Sequence, residues 1–153
     1  MQMTPETAQA LGQLGAILAI SVSAIGSAMG TGAAGAAAIG AWKKCYAQSK
    51  AAPFMLVAFV GMPLSQTIYG IILMNSLLGK AKAGFPFAAL IGVGLFGGMA
   101  IASSAWLQGR AGAGASDALA ETGKGFANYL AVLGVIETVA IFVMVFIMIA
   151  LGG

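Results

Sequence analysis

Residues Gly125 to Gly153 read GFANYLAVLGVIETVAIFVMVFIMIALGG, a run in which Glu137 is the only charged side chain. About 20 consecutive apolar residues cross roughly 30 Å of hydrocarbon as a helix, so the run reads as one membrane span with a carboxylate near its middle. Working outward, the remaining charges divide the chain in the same way. Thr7 to Trp42, Ala51 to Gly79 and Ala83 to Gly109 carry no charge, and each suffices to cross once but not clearly twice. The expected fold is an all-α membrane protein of four transmembrane helices joined by short connections, with no room for a soluble catalytic domain.

Composition points the same way. The chain is 60% hydrophobic and 7% charged, with a mean hydropathy of +0.98, against about 25% charged residues in a soluble domain. The net charge of +3 is therefore read as membrane topology, with no nucleic acid implied. Five basic residues (Lys43, Lys44, Lys50, Arg110, Lys124) surround the first and third connections and two (Lys80, Lys82) the second. The positive-inside rule then places the first and third connections in the cytoplasm and both termini outside, in a multi-pass protein of the cell membrane. The start MQMTPETAQALGQ lacks the basic residues of a signal peptide, so the first span is expected to persist. Cys45, the single cysteine, allows no internal disulfide and is expected as a solvated thiol in the first turn.

The chain also repeats itself. GSAMGTGAAGAAA (Gly26 to Ala38) superposes on SSAWLQGRAGAGA (Ser103 to Ala115), pairing Ser27, Ala28, Gly32, Ala34 and Gly35 with Ser104, Ala105, Gly109, Ala111 and Gly112. LSQTIY (Leu64 to Tyr69) superposes on ETVAIF (Glu137 to Phe142), pairing Ser65 with Thr138 and Leu64 with Glu137. Two tandem copies of one helical hairpin are expected, 1–79 without the carboxylate and 80–153 with it. Small residues at i, i+4 let another backbone approach closely, and glycine and alanine continue around most of the first helix. That is more than one partner helix requires, and it suggests a ring of identical chains with the first and third helices innermost. The bulk of the second and fourth helices (Phe54, Met55, Leu56, Phe59, Phe142, Met144, Phe146, Met148) is expected on the outside against lipid.

An intramembrane carboxylate costs a few kcal/mol on insertion scales and is by default a functional residue whose partner must be named. Gln108 and Glu137 lie at comparable distances along the chain on either side of Glu121, so they share a depth if the third helix continues beyond Arg110. Ser65 and Gln66 lie mid-span in the second helix. Pro63 lacks an N–H and disturbs the turn before it, freeing carbonyls from Phe59 to Met62. The inventory is one carboxylate, two amide carbonyls, a hydroxyl and main-chain oxygens, with Tyr69 able to orient the carboxylate. These are hard oxygen ligands suited to a hard cation, and the chain has no His to hold a soft metal. One bound monovalent cation would leave the site neutral, as passage through lipid demands.

The glycine-rich first helix, PLSQTIYG (Pro63 to Gly70), LQG (Leu107 to Gly109) and VIET (Val135 to Thr138) together resemble the membrane-ring proteolipid of the V-type (A/V-type) rotary ATPases, the K or c subunit, in its four-helix form. The resemblance covers essentially the whole chain. It implies a Na⁺ site formed by Glu137, Gln108, Gln66, the Ser65 hydroxyl and the Met62 carbonyl, with Tyr69 bonded to the carboxylate. Ser65 stands where the family commonly has Thr, and Met62 where it has Leu; neither change removes a ligand oxygen. It further implies a ring of identical subunits, a stator protein supplying an arginine, and a central stalk on the turns around Lys43 to Lys50 and Ser116 to Lys124. ATP chemistry would belong to other subunits, because this chain has no phosphate-cradling loop. The cargo is Na⁺ or H⁺, and the extra oxygens favour Na⁺. The competing reading is a small four-helix antiporter exchanging protons for cationic drugs, although such proteins carry their Glu in the first helix. A purely structural tetraspan would leave the convergence of polar groups unexplained.

Overall fold

The computed structural model describes residues 4–152. Its rods are α1 (Pro5–Ala47), a broken second rod made of α2 (Leu56–Gly61), a 3-10 turn (Met62–Leu64) and α3 (Ser65–Lys82), then α4 (Phe87–Thr122) and α5 (Phe126–Ala150). All four rods are long and apolar enough to cross a membrane. The chain forms an all-helical membrane bundle of two hairpins, with no strand among the described residues.

Local chemistry sets the ends of these rods. Thr4 caps α1 by accepting the Thr7 N–H at 3.2 Å, with Pro5 at the first helical position where its missing N–H does no harm. At the other end of the bundle α4 turns into α5 through Gly123 and Gly125, whose φ values of +67° and +91° are costly for other residues. The second rod breaks at Pro63, which has no N–H to return to the Phe59 carbonyl, and the chain tightens into the 3-10 turn.

α1 and α4 run parallel in backbone contact. A β-carbon on Gly94 would fall on the Gly15 carbonyl, and one on Gly109 would fall on the Gly30 backbone. Small residues are required at both places because backbone cannot rotate aside. Other glycines of these helices, Gly32, Gly40 and Gly114, meet nothing within 4 Å and remain free on the surface of the single chain. α3 packs on α1 and α4, and α5 lies outermost, burying only Leu133, Ala140 and Met144.

Several expectations require correction. Of the bulky residues assigned to lipid, Phe54, Met55, Phe142 and Phe146 are exposed, but Leu56, Phe59 and Met144 are buried. Phe59 packs against Phe126 at 5.4 Å between ring centroids and against Tyr129 at 6.2 Å, in a cluster with Ala38 and Ala41 of α1 and Ala115 and Leu119 of α4. Cys45 is 2% exposed rather than solvated. α1 runs past it to Ala47, so it continues the inward stripe of Ala34, Ala38 and Ala41, with its thiol 3.9 Å from the Ala120 carbonyl.

The third helix extends further than its uncharged run. α4 continues to Thr122, so Ser116 is buried and helical, donating to the Gly112 carbonyl at 2.9 Å, and the connection shrinks to residues 123–125. Arg110 is thereby an exposed mid-helix residue, about 18 Å before the end of α4 at 1.5 Å per residue, and not part of a turn. Its guanidinium lies 5.9 Å from the Trp106 ring centroid. Near this end of the bundle Lys44 and Glu121 are 3.6 Å apart, an exposed pair worth about 0–1 kcal/mol.

Candidate functional site

Three helices place polar side chains at one level. The first turn of α3 carries Ser65, Gln66 and Tyr69. On α4, Ser104 and Gln108 stand at i, i+4 and therefore share a face. α5 contributes the Leu133 and Ile136 carbonyls and Glu137. The continuation of α4 through Arg110 is what holds Gln108 rigidly at this depth.

Glu137 is half-buried and receives two donors. The Tyr69 hydroxyl donates to Oε1 at 2.6 Å, and Gln108 Nε2 approaches Oε2 at 3.4 Å. Charge-assisted hydrogen bonds of this kind are about twice as strong as neutral ones. Gln108 Nε2 also donates to the Leu133 carbonyl at 2.9 Å, one turn before Glu137 on α5. The amide therefore ties α4 to α5 on both sides of the carboxylate's turn.

Gln66 and Gln108, both 0% exposed, are linked to each other. Gln66 Nε2 donates to Gln108 Oε1 at 2.9 Å and approaches Ser104 Oγ at 3.4 Å. With both N–H groups engaged, the Gln66 oxygen is turned the other way, toward Ser65 Oγ at 3.2 Å. Ser65 Oγ also lies 3.0 Å from the Met62 carbonyl. Two acceptor oxygens thus compete for one hydroxyl proton, which can satisfy only one of them at a time. These are hard oxygen donors of the type a hard cation requires, and Gln108 links them to the Glu137 carboxylate.

All seven residues singled out from sequence lie in or beside this cluster. Glu137, Gln108, Gln66, Ser65, Tyr69 and the Met62 carbonyl are joined by the contacts above, and Pro63 sits buried in the turn that presents the Met62 carbonyl. One geometric detail differs from the simple inventory. Gln108 turns its nitrogen toward Glu137 and uses one lone pair of its oxygen on Gln66, leaving the second lone pair for any further partner. Sequence reasoning missed Ser104 and the Leu133 and Ile136 carbonyls. Ser104 could have been found by its i, i+4 spacing from Gln108, whereas the carbonyls carry no sequence signal.

Residues 91–150 match the sequence model of the ATP synthase C-subunit family. The matched stretch holds most of α4 and all of α5, with Ser104, Gln108 and Glu137 inside it, and stops short of α3. No curated protein matches the chain. The match makes the second hairpin, somewhat under half of the chain, similar to the ATP synthase C-subunit family.

Proposed function

We propose that the chain is the ring proteolipid (the K or c subunit) of a V-type rotary ATPase, and that its cargo is Na⁺ carried on Glu137. The observation that carries the reading is a mid-span network in which Gln108 links the Glu137 carboxylate to Gln66, whose Oε1 gathers with Ser65 Oγ and the Met62 carbonyl. A proton needs only the carboxyl group. A sodium ion stripped of water needs several neutral oxygens as well as the charge, and this site supplies them.

In this reading the loaded site is neutral, so each copy of the chain can face hydrocarbon as the ring turns. An arginine of the stator would then compete with the ion for the carboxylate. The half-buried position of Glu137 on the outermost helix, α5, suits such an approach from the lipid side. The free surfaces at Gly32, Gly40 and Gly114 suit close contact with identical neighbours in a ring whose inner wall is α1 and α4. Four basic residues (Lys43, Lys44, Lys50, Lys124) still lie at one end of the bundle against two (Lys80, Lys82) at the other. The former end is thus assigned to the cytoplasm and to the stalk, and the termini to the outside.

The test is labelling by a carbodiimide, which attacks protonated carboxyl groups, with the adduct located by mass spectrometry. Na⁺ should protect Glu137 while K⁺ does not. Labelling that follows pH and ignores Na⁺ would make the cargo H⁺. ATP-driven ion transport persisting in a complex with Glu137→Gln would overturn the reading altogether.

A further inference from the structure

Ser104 and Ser27 occupy equivalent positions in the two hairpins, and both are buried, at 4% and 2% exposure. Their hydroxyls are used differently. Ser27 Oγ is the one buried side-chain oxygen or nitrogen without a hydrogen-bond partner among the described residues. Ser104 Oγ donates to the Ile136 carbonyl at 2.9 Å and lies 3.4 Å from Gln66 Nε2.

A hydroxyl has one proton. Because Ser104 gives it to Ile136, it can face Gln66 only as an acceptor. Gln66 must therefore present N–H to Ser104, and its second N–H goes to Gln108 Oε1 at 2.9 Å. Only then does Gln66 Oε1 point to Ser65 Oγ, which also lies 3.0 Å from the Met62 carbonyl. The same hydroxyl fastens α4 to α5 at the residue preceding Glu137, and so sets the height of the carboxylate against Gln108. Without the Ser104 acceptor the Gln66 amide loses one of the two contacts that decide which end faces the cluster.

We infer that Ser104 is a positioning residue that gives the site its preference for Na⁺ over H⁺ by locking the Gln66 carbonyl toward the cluster. The inference rests on the reading of Glu137 as a cation site. It assigns the discrimination to a side chain that touches no ion. Removing it should weaken sodium binding and leave the carboxyl group's reaction with protons and carbodiimide in place.

The experiment compares the wild type, Ser104→Ala, Ser104→Thr and Ser27→Ala as purified full-length protein in one detergent. It reads the Na⁺ concentration that halves carbodiimide labelling of Glu137, and the labelling rate without Na⁺ across pH. Outer-shell changes typically cost 10–100-fold in metal affinity, so Ser104→Ala should raise the Na⁺ midpoint by at least about tenfold. Its Na⁺-free labelling profile should match the wild type. Ser27→Ala, which removes an unpartnered hydroxyl, should keep the wild-type midpoint, and Ser104→Thr should recover most of the loss. An unchanged midpoint in Ser104→Ala, or an equal shift in Ser27→Ala, overturns the inference while the sodium site stands. A wild type that Na⁺ does not protect overturns the sodium reading, and the inference with it.

Discussion

Gly109→Ala adds a single methyl group where α4 rests on α1, and its consequences can be followed to the ion cluster. The new carbon would land on the Gly30 backbone, which has no rotamer to escape into. Regaining an ordinary contact of at least 3.4 Å parts the helices by about 1 Å, an overpacking that typically costs about 1–3 kcal/mol. Gln108 is the next residue of α4 and moves with it. Its Oε1 accepts from Gln66 Nε2 at 2.9 Å, so a displacement of about 1 Å carries that bond out of hydrogen-bonding range.

Two readouts follow. Thermal unfolding of the detergent-solubilised protein, observed by fluorescence of Trp42 and Trp106, should fall by several degrees, at about 2–4 °C per kcal/mol for a chain of this length. The Na⁺ midpoint for protection of Glu137 should rise about tenfold, as for other losses of ligand support. Gly92→Ala is the control. A β-carbon there meets nothing within 4 Å, and the exchange should stabilise the helix by up to about 1 kcal/mol. A Gly109→Ala protein with unchanged melting would refute the backbone contact. Lowered melting with an unchanged Na⁺ midpoint would refute the coupling of that contact to Gln108.

Other perturbations have equally definite outcomes. Tyr69→Phe removes the 2.6 Å bond to Glu137; a hydrogen bond to a charged group contributes about 1.5–3 kcal/mol, so Na⁺ protection should weaken by roughly 10- to 150-fold. Pro63→Ala restores an N–H that can reach the Phe59 carbonyl, so α2 and α3 should join into one regular helix. Circular dichroism should then show slightly more helix, and the Na⁺ midpoint should rise as the Met62 carbonyl, which accepts the Ser65 N–H in the 3-10 turn, is moved by the regular helix. Cys45 should react with a water-soluble maleimide about 100-fold more slowly in the folded protein than after unfolding, because its reaction requires local opening; equal rates would contradict the burial of α1 against Ala120. Lys44→Ala should change stability by less than about 1 kcal/mol, since its pair with Glu121 is exposed.

The spans were legible because a bilayer core imposes one length and one chemistry on any helix that crosses it. Four uncharged runs of sufficient length therefore translate directly into four rods. Arg110 shows where that rule loses resolution. A charge bounds an uncharged run but does not end a helix, and α4 ends only where Gly123 adopts a positive φ. Phe59 and Cys45 show a second limit. Apolar residues belong both against lipid and against other helices, so periodicity in a uniformly apolar segment does not say which face is inward. Only the break at Pro63 and the parallel docking of α1 on α4 decide that.

For the candidate site, the sequence by itself determined the membership: a lone mid-span carboxylate, two glutamines, a hydroxyl and a proline at matching depths, on helices whose lengths leave little freedom along the membrane normal. Tertiary structure decided the orientation of each group. Which end of the Gln66 amide faces the cluster depends on Ser104 of α4 and, through it, on the Ile136 carbonyl of α5. Two serines alike in sequence, Ser27 and Ser104, differ only because one has Gln66 and Ile136 beside it and the other has no partner. Depth is a property of position along one helix and can be counted in residues. Hydrogen-bond direction is a property of the space between helices and exists only once they are packed.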